Sequence, residues 1–350
     1  MKKINLLLFF ICFSIFVSAQ KKMSVPDASQ EAAVMQHVGL TKIKISYHSP
    51  LTNGRTIWGD VVPYNEVWRA GANENTTITF STEVMVEGKK LAAGTYGLHM
   101  IPTQKEWTVI FNRNSTAWGS FFYDEKEDAV RVTVTPLTSE MQEWLSYSFA
   151  DIKPQSATAM MKWEKKSVPF KITVDVPEVV FQNMKNELTG LSGFGWQGHQ
   201  EAAAYAINNN IHLDEAEAMI DRSIKMQKTF LNLNTKSKLL ALQGKTTEAD
   251  AMKKEALTMA DENQLNAYGY ELIAAKKLPE ATEIFKMNVK KHPDSWNVYD
   301  SLGEAQAMTG EKKSAIANYK TAMAKAPEDQ KKRIGAVLKK LEGKDMATSE

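Results

Sequence analysis

The chain has 350 residues, 24% of them charged, and its 43 Lys and Arg nearly balance its 41 Asp and Glu, for a formal net charge of +2. That length predicts two domains with ordinary cores. A near-neutral chain without a basic stripe excludes phosphate-driven nucleic-acid binding, and the single cysteine, Cys12, excludes a disulfide framework.

Residues 1–19 read as a secretory signal: Lys2 and Lys3, an apolar run from Ile4 to Val17, and a small-residue site at Val17-Ser18-Ala19 before Gln20. The run is shorter than the ~20 apolar residues a membrane span needs. Cleavage is therefore expected, with the periplasm or the extracellular space as destination and no stable membrane insertion afterwards. Cys12, Lys2 and Lys3 leave with the segment. The mature chain is then neutral and thiol-free, which removes thiolate nucleophiles and cysteine-ligated zinc.

Residues 24–180 carry the period of half-buried strands. Ile43, Ile45 and Tyr47 alternate with polar neighbours, and the pattern returns at Val84 and Val86, at Tyr96, Leu98 and Met100, and at Trp107, Val109 and Phe111. It continues through Val130–Val134, Leu145–Phe149, Ala159–Trp163 and Val168–Val176, with residues 157–164 and 168–176 expected to form a hairpin across Lys165-Lys166-Ser167. About nine short strands split by turns predict an antiparallel β-sandwich, with one sheet's apolar face buried against the other's.

At the centre lies Arg69-Ala70-Gly71-Ala72-Asn73. Together with Gly88-Lys89, Ala93-Gly94-x-Tyr96, Ile101-Pro102, Trp107 and Trp118-Gly119, in that order and spacing, it resembles domain of unknown function 2911 over residues 24–176. The resemblance implies a family and no reaction.

The Arg69–Asn73 motif has two readings. In one, Gly71 takes a backbone conformation closed to other residues, Asn73 bonds its own loop, and Arg69 staples the loop to a carboxylate such as Asp60 or Glu66. In the other, the Arg69 fork and the Asn73 amide bind a carboxylate or sugar beside stacking rings. Trp58, Trp118 and Tyr123 fall in irregular segments where rings are free to bind, whereas Trp107 and Tyr96 belong to the core. His99 and Asn112 lie on the strand faces opposite Tyr96 and Trp107. The candidate ligand-binding set is therefore Arg69, Asn73, His99, Asn112, Trp118, Tyr123 and Trp58.

No catalytic motif stands. Gly190-Leu191-Ser192-Gly193 lacks the nucleophile-elbow spacing, and Gly244-Lys245-Thr246 lacks the first glycine of a phosphate loop. His37, His48 and His99 have no paired spacing, so no metal site and no cofactor is expected.

After a glycine-punctuated connector at 181–198, residues 199–341 adopt a helical vocabulary. Ala216, Ala249, Ala281 and Ala315 recur at intervals of 33, 32 and 34 residues, and Ala281, Phe285 and Pro293 return as Ala315, Tyr319 and Pro327. This resembles the tetratricopeptide family, with Asn288 and Gln306 departing from its pattern. Residues 328–341 form the capping helix and 342–350 a frayed tail. Such arrays bind peptides or partner proteins, often in basic grooves; Lys225, Lys228 and Lys236 are the cations available in the earlier units, without the symmetry of a dedicated clamp.

The fold expected is thus α+β in separate domains, an antiparallel β-sandwich followed by an all-α tetratricopeptide-like array. The function expected is that of an exported, non-enzymatic envelope protein, holding a small polar or glycan ligand in the β domain and a protein or peptide on the repeats. Two alternatives stay open: an envelope hydrolase with its site around Arg69, Asn73 and His99, and a structural subunit with no small ligand.

Overall fold

The structure is a computed structural model that describes residues 25–343; the expected signal segment and all of the expected tail beyond residue 343 lie outside the described residues. The chain divides into two units, residues 1–176 and 177–350.

The first unit holds two antiparallel sheets. One has six strands in the order β1 (Gln30–Val38), β2 (Thr41–Ser49), β3 (Thr77–Phe80), β6 (Gly94–Ile101), β7 (Trp107–Asn112) and β8 (Asp128–Val134). The other has four, in the order β5 (Lys89–Leu91), β4 (Val84–Val86), β10 (Ser156–Thr173) and β9 (Leu137–Lys153). Alternation decides what faces inward: Ile43, Ile45, Ile78, Leu98 and Val109 of the first sheet are fully buried, as are Met161, Phe170 and Ile172 of the second. Rings join the layers, Phe111 meeting Phe170 at 5.9 Å and Tyr47 meeting Tyr147 at 4.8 Å. Each such side chain contributes roughly 1.5–3 kcal/mol on burial.

Two expectations for the strands need correction. Ahead of β2, β1 pairs with it over its full length and alternates in exposure, but Gln36 stands at a covered position and Ala33 and Met35 at exposed ones, so its residue types gave no clean alternation to read. Lys165, Lys166 and Ser167 are not a turn either. They lie inside the continuous strand β10, whose hairpin partner is β9. Inward residues are odd-numbered up to Trp163 and even-numbered from Val168, a change of parity that a turn would explain. The chain makes it instead with Glu164 in the left-handed region (φ 53°), opposite a stretch of β9 that bulges as pairing moves from Lys162↔Ser146 to Lys166↔Thr138.

The feature that positions the site is the second face of β6. Tyr96, Leu98 and Met100 fill the sandwich, yet Gly97 and His99 between them are also buried. What covers them is the segment between β7 and β8, residues 113–127. It starts and ends on Asn112 and Asp128, neighbours in the sheet.

The second unit is helical. Helix α1 (Val176–Glu187) and a 3-10 turn (Leu191–Phe194) occupy most of the expected connector, and Phe181 packs with Ala203, Ile220 and Leu239 in the helical core. Four hairpins follow: α2 (Trp196–Asn209) with α3 (Leu213–Met226), α4 (Phe230–Leu242) with α5 (Thr246–Met259), α6 (Glu262–Ala274) with α7 (Leu278–Lys291), and α8 (Trp296–Met308) with α9 (Lys312–Lys325). The last helix, α10 (Glu328–Glu342), closes the stack through Ile334 and Leu338.

The repeat has a packing cause. Ala216, Ala249, Ala281 and Ala315 are all buried early in the second helices, where a small residue lets helices approach. Gly269 on α6 and Gly303 on α8 receive the rings of Phe285 and Tyr319: a Cβ at Gly269 would stand 2.5 Å from Phe285, one at Gly303 3.0 Å from Tyr319. The two departures are polar groups with partners. Asn288 donates to the Glu262 carbonyl (3.0 Å), and Gln306 accepts from Asn318 (2.7 Å).

Candidate functional site

The loop between β2 and β3 sets Arg69. Ala70 and Asn73 both take positive φ (49° and 53°), which folds the loop back so that Arg69 Nη1 donates to the Asn73 carbonyl. Gly71 serves otherwise than the sequence suggested. Its φ is not left-handed; it is glycine for space, because a Cβ there would lie 2.5 Å from Thr76 Oγ1 and 3.2 Å from the His48 carbonyl. The Asn73 amide donates to the Ser29 carbonyl at 3.2 Å. Asn73 thus holds Arg69 through its carbonyl and the chain before β1 through its side chain.

Arg69 forms no ion pair among the described residues. Glu74, the carboxylate that acts on it electrostatically, lies 3.2 Å from His48 Nε2. In place of a carboxylate Arg69 has rings: its Cζ sits 5.1 Å from the Trp118 ring and 5.7 Å from Phe121, and the two rings are nearly parallel, 18° apart. Gly119 between them has φ +63°, and a Cβ there would fall 2.6 Å from the guanidinium carbon. A side chain at that position would push the guanidinium from its place between the loops. Burial pulls the guanidinium below its ordinary value, with Glu74 offsetting part of the shift, yet an arginine stays charged.

Arg69 and Ser120 open on a groove of about 370 Å³ whose other walls are Pro63, Glu66, Val67, Trp68 and Phe121. Trp118 and Phe121 are 52% and 74% exposed, so both have surface left for something to cover.

Beneath Ser120 lies His99, 1% exposed, with Nδ1 3.3 Å from Ser120 Oγ and its ring edge-on to Tyr123 at 5.3 Å. Burial pushes its pKa down to about 4; Asp128 pulls upward and Arg69 pushes further down. The ring is neutral at physiological pH. A serine facing a histidine is the start of a nucleophilic pair, but a base with that pKa has little drive to take the hydroxyl proton. Nor is a carboxylate free to orient it, because Asp128 has other duties.

Those duties explain Asn112 and Tyr123. Asn112 Nδ2 donates to Asp128 Oδ1 (2.7 Å) and to the Asp124 carbonyl (2.9 Å), while its Oδ1 accepts from the Asn114 amide (2.9 Å). The Tyr123 hydroxyl donates to Asp128 Oδ2 (2.7 Å) and accepts from Arg131 Nη2 (2.7 Å); Arg131 Nε also donates to Asp128 Oδ2 (2.6 Å). Burial and the bond to Asp128 push the Tyr123 phenol up to about 12, so it remains a donor. Both residues clamp the 113–127 segment over the sheet.

Trp58 is the one candidate placed elsewhere. Its ring meets Trp107 at 4.8 Å, Trp68 at 5.8 Å and Trp163 at 5.8 Å, and it belongs to that tryptophan cluster instead of offering a free face. An irregular segment did not keep it out of the core, because residues 56–62 fold back over the end of the sandwich, where Ile57 and Val62 are also buried. Of the seven candidates, Arg69 lines the groove and Trp118 stacks behind it against Arg69 and Phe121, His99 lies beneath Ser120, and Asn73, Asn112 and Tyr123 hold the loops that carry these groups. Glu66, Trp68, Ser120 and Phe121 were missed as a set. The run Trp118-Gly-Ser-Phe-Phe-Tyr123 was the available signal, since a glycine and a serine inside an aromatic run mark a ring-bearing loop rather than a strand.

In the helical unit the first helices of three hairpins, α2, α4 and α6, line a second groove of about 380 Å³. Carboxamides recur along it, from Gln200 and Asn208 through Asn234 to Asn263 and Gln264, beside Leu231, Phe230 and Tyr268. Lys225, Lys228 and Lys236, which the sequence shows without the symmetry of a clamp, do not line it. Lys236 is buried between Glu217 and Asp221, both at 2.8 Å, and Lys228 pairs with Glu255 at 2.6 Å. Among the described residues no helix is long and apolar enough to cross a membrane.

Residues 29–172 match the model of a family described as protein of unknown function (DUF2911). Comparison with curated proteins gives no match. Among solved structures, a pilF structure from Pseudomonas aeruginosa is similar at 13% identity, over 44% of this chain and 70% of that one, with a TM-score of 0.29. The C-terminal part of a TPR repeat-containing protein from Cytophaga hutchinsonii is similar at 13% identity, over 49% and 72%, with a TM-score of 0.33. MamA from Desulfovibrio magneticus is similar at 14% identity, over 46% and 99%, with a TM-score of 0.26.

Proposed function

We propose that this protein is an exported envelope component that works by binding: the helical array takes up a segment of a partner protein, and the β unit holds a small ligand in the Arg69 groove. The observation that carries the reading is the carboxamide-lined groove on α2, α4 and α6. Gln200 bonds Thr235 and Gln264 caps α6, which leaves Asn208, Asn234 and Asn263. A carboxamide both donates and accepts, so these three match the alternating N–H and C=O groups of an extended chain, while exposed Leu231 gives its side chains apolar surface over Phe230 and Tyr268. Export rests on residues 1–19.

The test is purification of the tagged protein from its native envelope, with bound proteins identified by mass spectrometry, beside a Leu231→Asp/Asn263→Ala variant. Leu231 is 41% exposed, so its replacement leaves the helix core alone. Loss of the partner by about tenfold or more in the variant is expected, as a few groove residues dominate such binding. A partner recovered equally with both proteins sinks the groove reading, and a recovered chain still carrying residues 1–19 sinks the signal.

The contact of Ser120 with His99 is the observation that favours the hydrolase alternative. The depressed basicity of His99 and the engagement of Asp128 weigh against it.

A further inference from the structure

The ligand-holding reading leaves the chemistry of the ligand open, and the surroundings of Arg69 narrow it. A guanidinium carries five N–H donors in a planar fork. Here one nitrogen is committed to the Asn73 carbonyl, no ion pair is formed among the described residues, and two rings line the group. Arg69 is half-buried, with Glu74 acting on it only at a distance, so its open edge can take an anion with less water to displace than an exposed cation would have.

The walls sort the anions. Glu66 shares the groove with Arg69, and a carboxylate nearby opposes a doubly charged phosphate ester more than a singly charged acid. A neutral sugar leaves the guanidinium unmet. A cationic ligand finds the ring faces already shared with Arg69 and its charge repelled. The remaining walls, Pro63, Val67, Trp68 and Phe121, are apolar and suit a ring or a hydrocarbon body. Phe121 is 74% exposed, leaving most of its surface for that body.

Resting on the proposal that the β unit holds a small ligand, we infer that the Arg69 groove takes a monocarboxylate bearing a ring, its carboxylate on the open edge of the guanidinium and its ring against Phe121 and Trp68. Arg69 supplies charge and direction, and Ser120 is placed at the same rim as a further hydroxyl donor. Asn73 acts through Arg69 as a positioning residue.

The experiment is calorimetric titration of the purified chain with two matched pairs, phenylacetate against phenylacetamide and glucuronate against glucuronamide, with inorganic phosphate alongside. At least one acid is expected to bind about tenfold or more tightly than its amide, the size of effect a charge-assisted fork gives. Arg69→Gln should erase that preference. Arg69→Lys should restore part of it, while Phe121→Ala, at an exposed ring, should weaken the acid severalfold without disturbing the fold. Acid and amide binding alike overturns the carboxylate assignment while leaving a ligand site standing. Phosphate binding more tightly than either acid overturns it too. Absence of heat with every probe overturns both this inference and the ligand-holding reading.

Discussion

The two units solve the problem of burying polar and apolar groups in opposite ways. In the β unit one carboxylate, Asp128, receives Asn112, Tyr123 and Arg131 together, and through them fixes the segment that carries Trp118, Ser120 and Phe121. In the helical unit each contact is local and then repeated, Phe285 on Gly269 and Tyr319 on Gly303. The first arrangement concentrates dependence at one atom group; the second spreads it over equivalent joints. A site that must hold a charged side chain among rings gains from the first, and an extended groove gains from the second.

The sharpest way to break the comparison is Asp128→Ala. It removes the acceptor that buried Asn112, half-buried Tyr123 and Arg131 share and leaves the Arg131 charge unpaired there, so we expect a loss of ~3 kcal/mol in urea unfolding and a change in the environment of Trp118. A loss below ~1 kcal/mol would show that the segment is held by packing instead of by the carboxylate.

Gly269→Ala tests the other strategy. The added carbon meets the Phe285 ring at 2.5 Å, against 3.0 Å for the equivalent Gly303→Ala and Tyr319. Overpacking predicts ~2 kcal/mol for the first and ~1 kcal/mol for the second. Equal costs measured by thermal unfolding would mean the joints are not graded by clearance.

The effect that belongs to His99 is spread over a range of pH. The unfolded chain takes up a proton near 6.5, whereas the buried ring refuses it until about 4. Stability from this group is therefore complete above pH 6.5 and falls as pH drops toward 4, by up to ~2 kcal/mol between pH 7.5 and 5. His99→Gln should flatten that part of the profile; an unchanged slope would show that the imidazole is protonated in the folded protein.

Legibility in the sequence followed the same divide. The helical hairpins were readable because Ala281, Phe285 and Pro293 come back as Ala315, Tyr319 and Pro327, and repetition of a packing cause is repetition of residues. Core strands such as β6 and β7 were readable because their inner faces alternate. The unreadable parts were those where one residue's role is set by a distant one. Glu164 changes the parity of β10 without a turn residue to announce it, and Asn112 and Tyr123 looked like ligand contacts because nothing local reveals that Asp128 claims them. Arg69 and Trp118 were singled out from their motif and their ring, and the structure puts the two side chains in contact, but they lie about fifty positions apart and no window of sequence contains the contact.

The glycine-and-ring joint has one more consequence. Because Gly269 and Gly303 stand 34 residues apart, as do Phe285 and Tyr319, excising or duplicating one full period between them splices a helix onto its own equivalent and asks for no new joint. An array built this way is therefore free to lengthen or shorten in whole steps of that size while every socket keeps its ring.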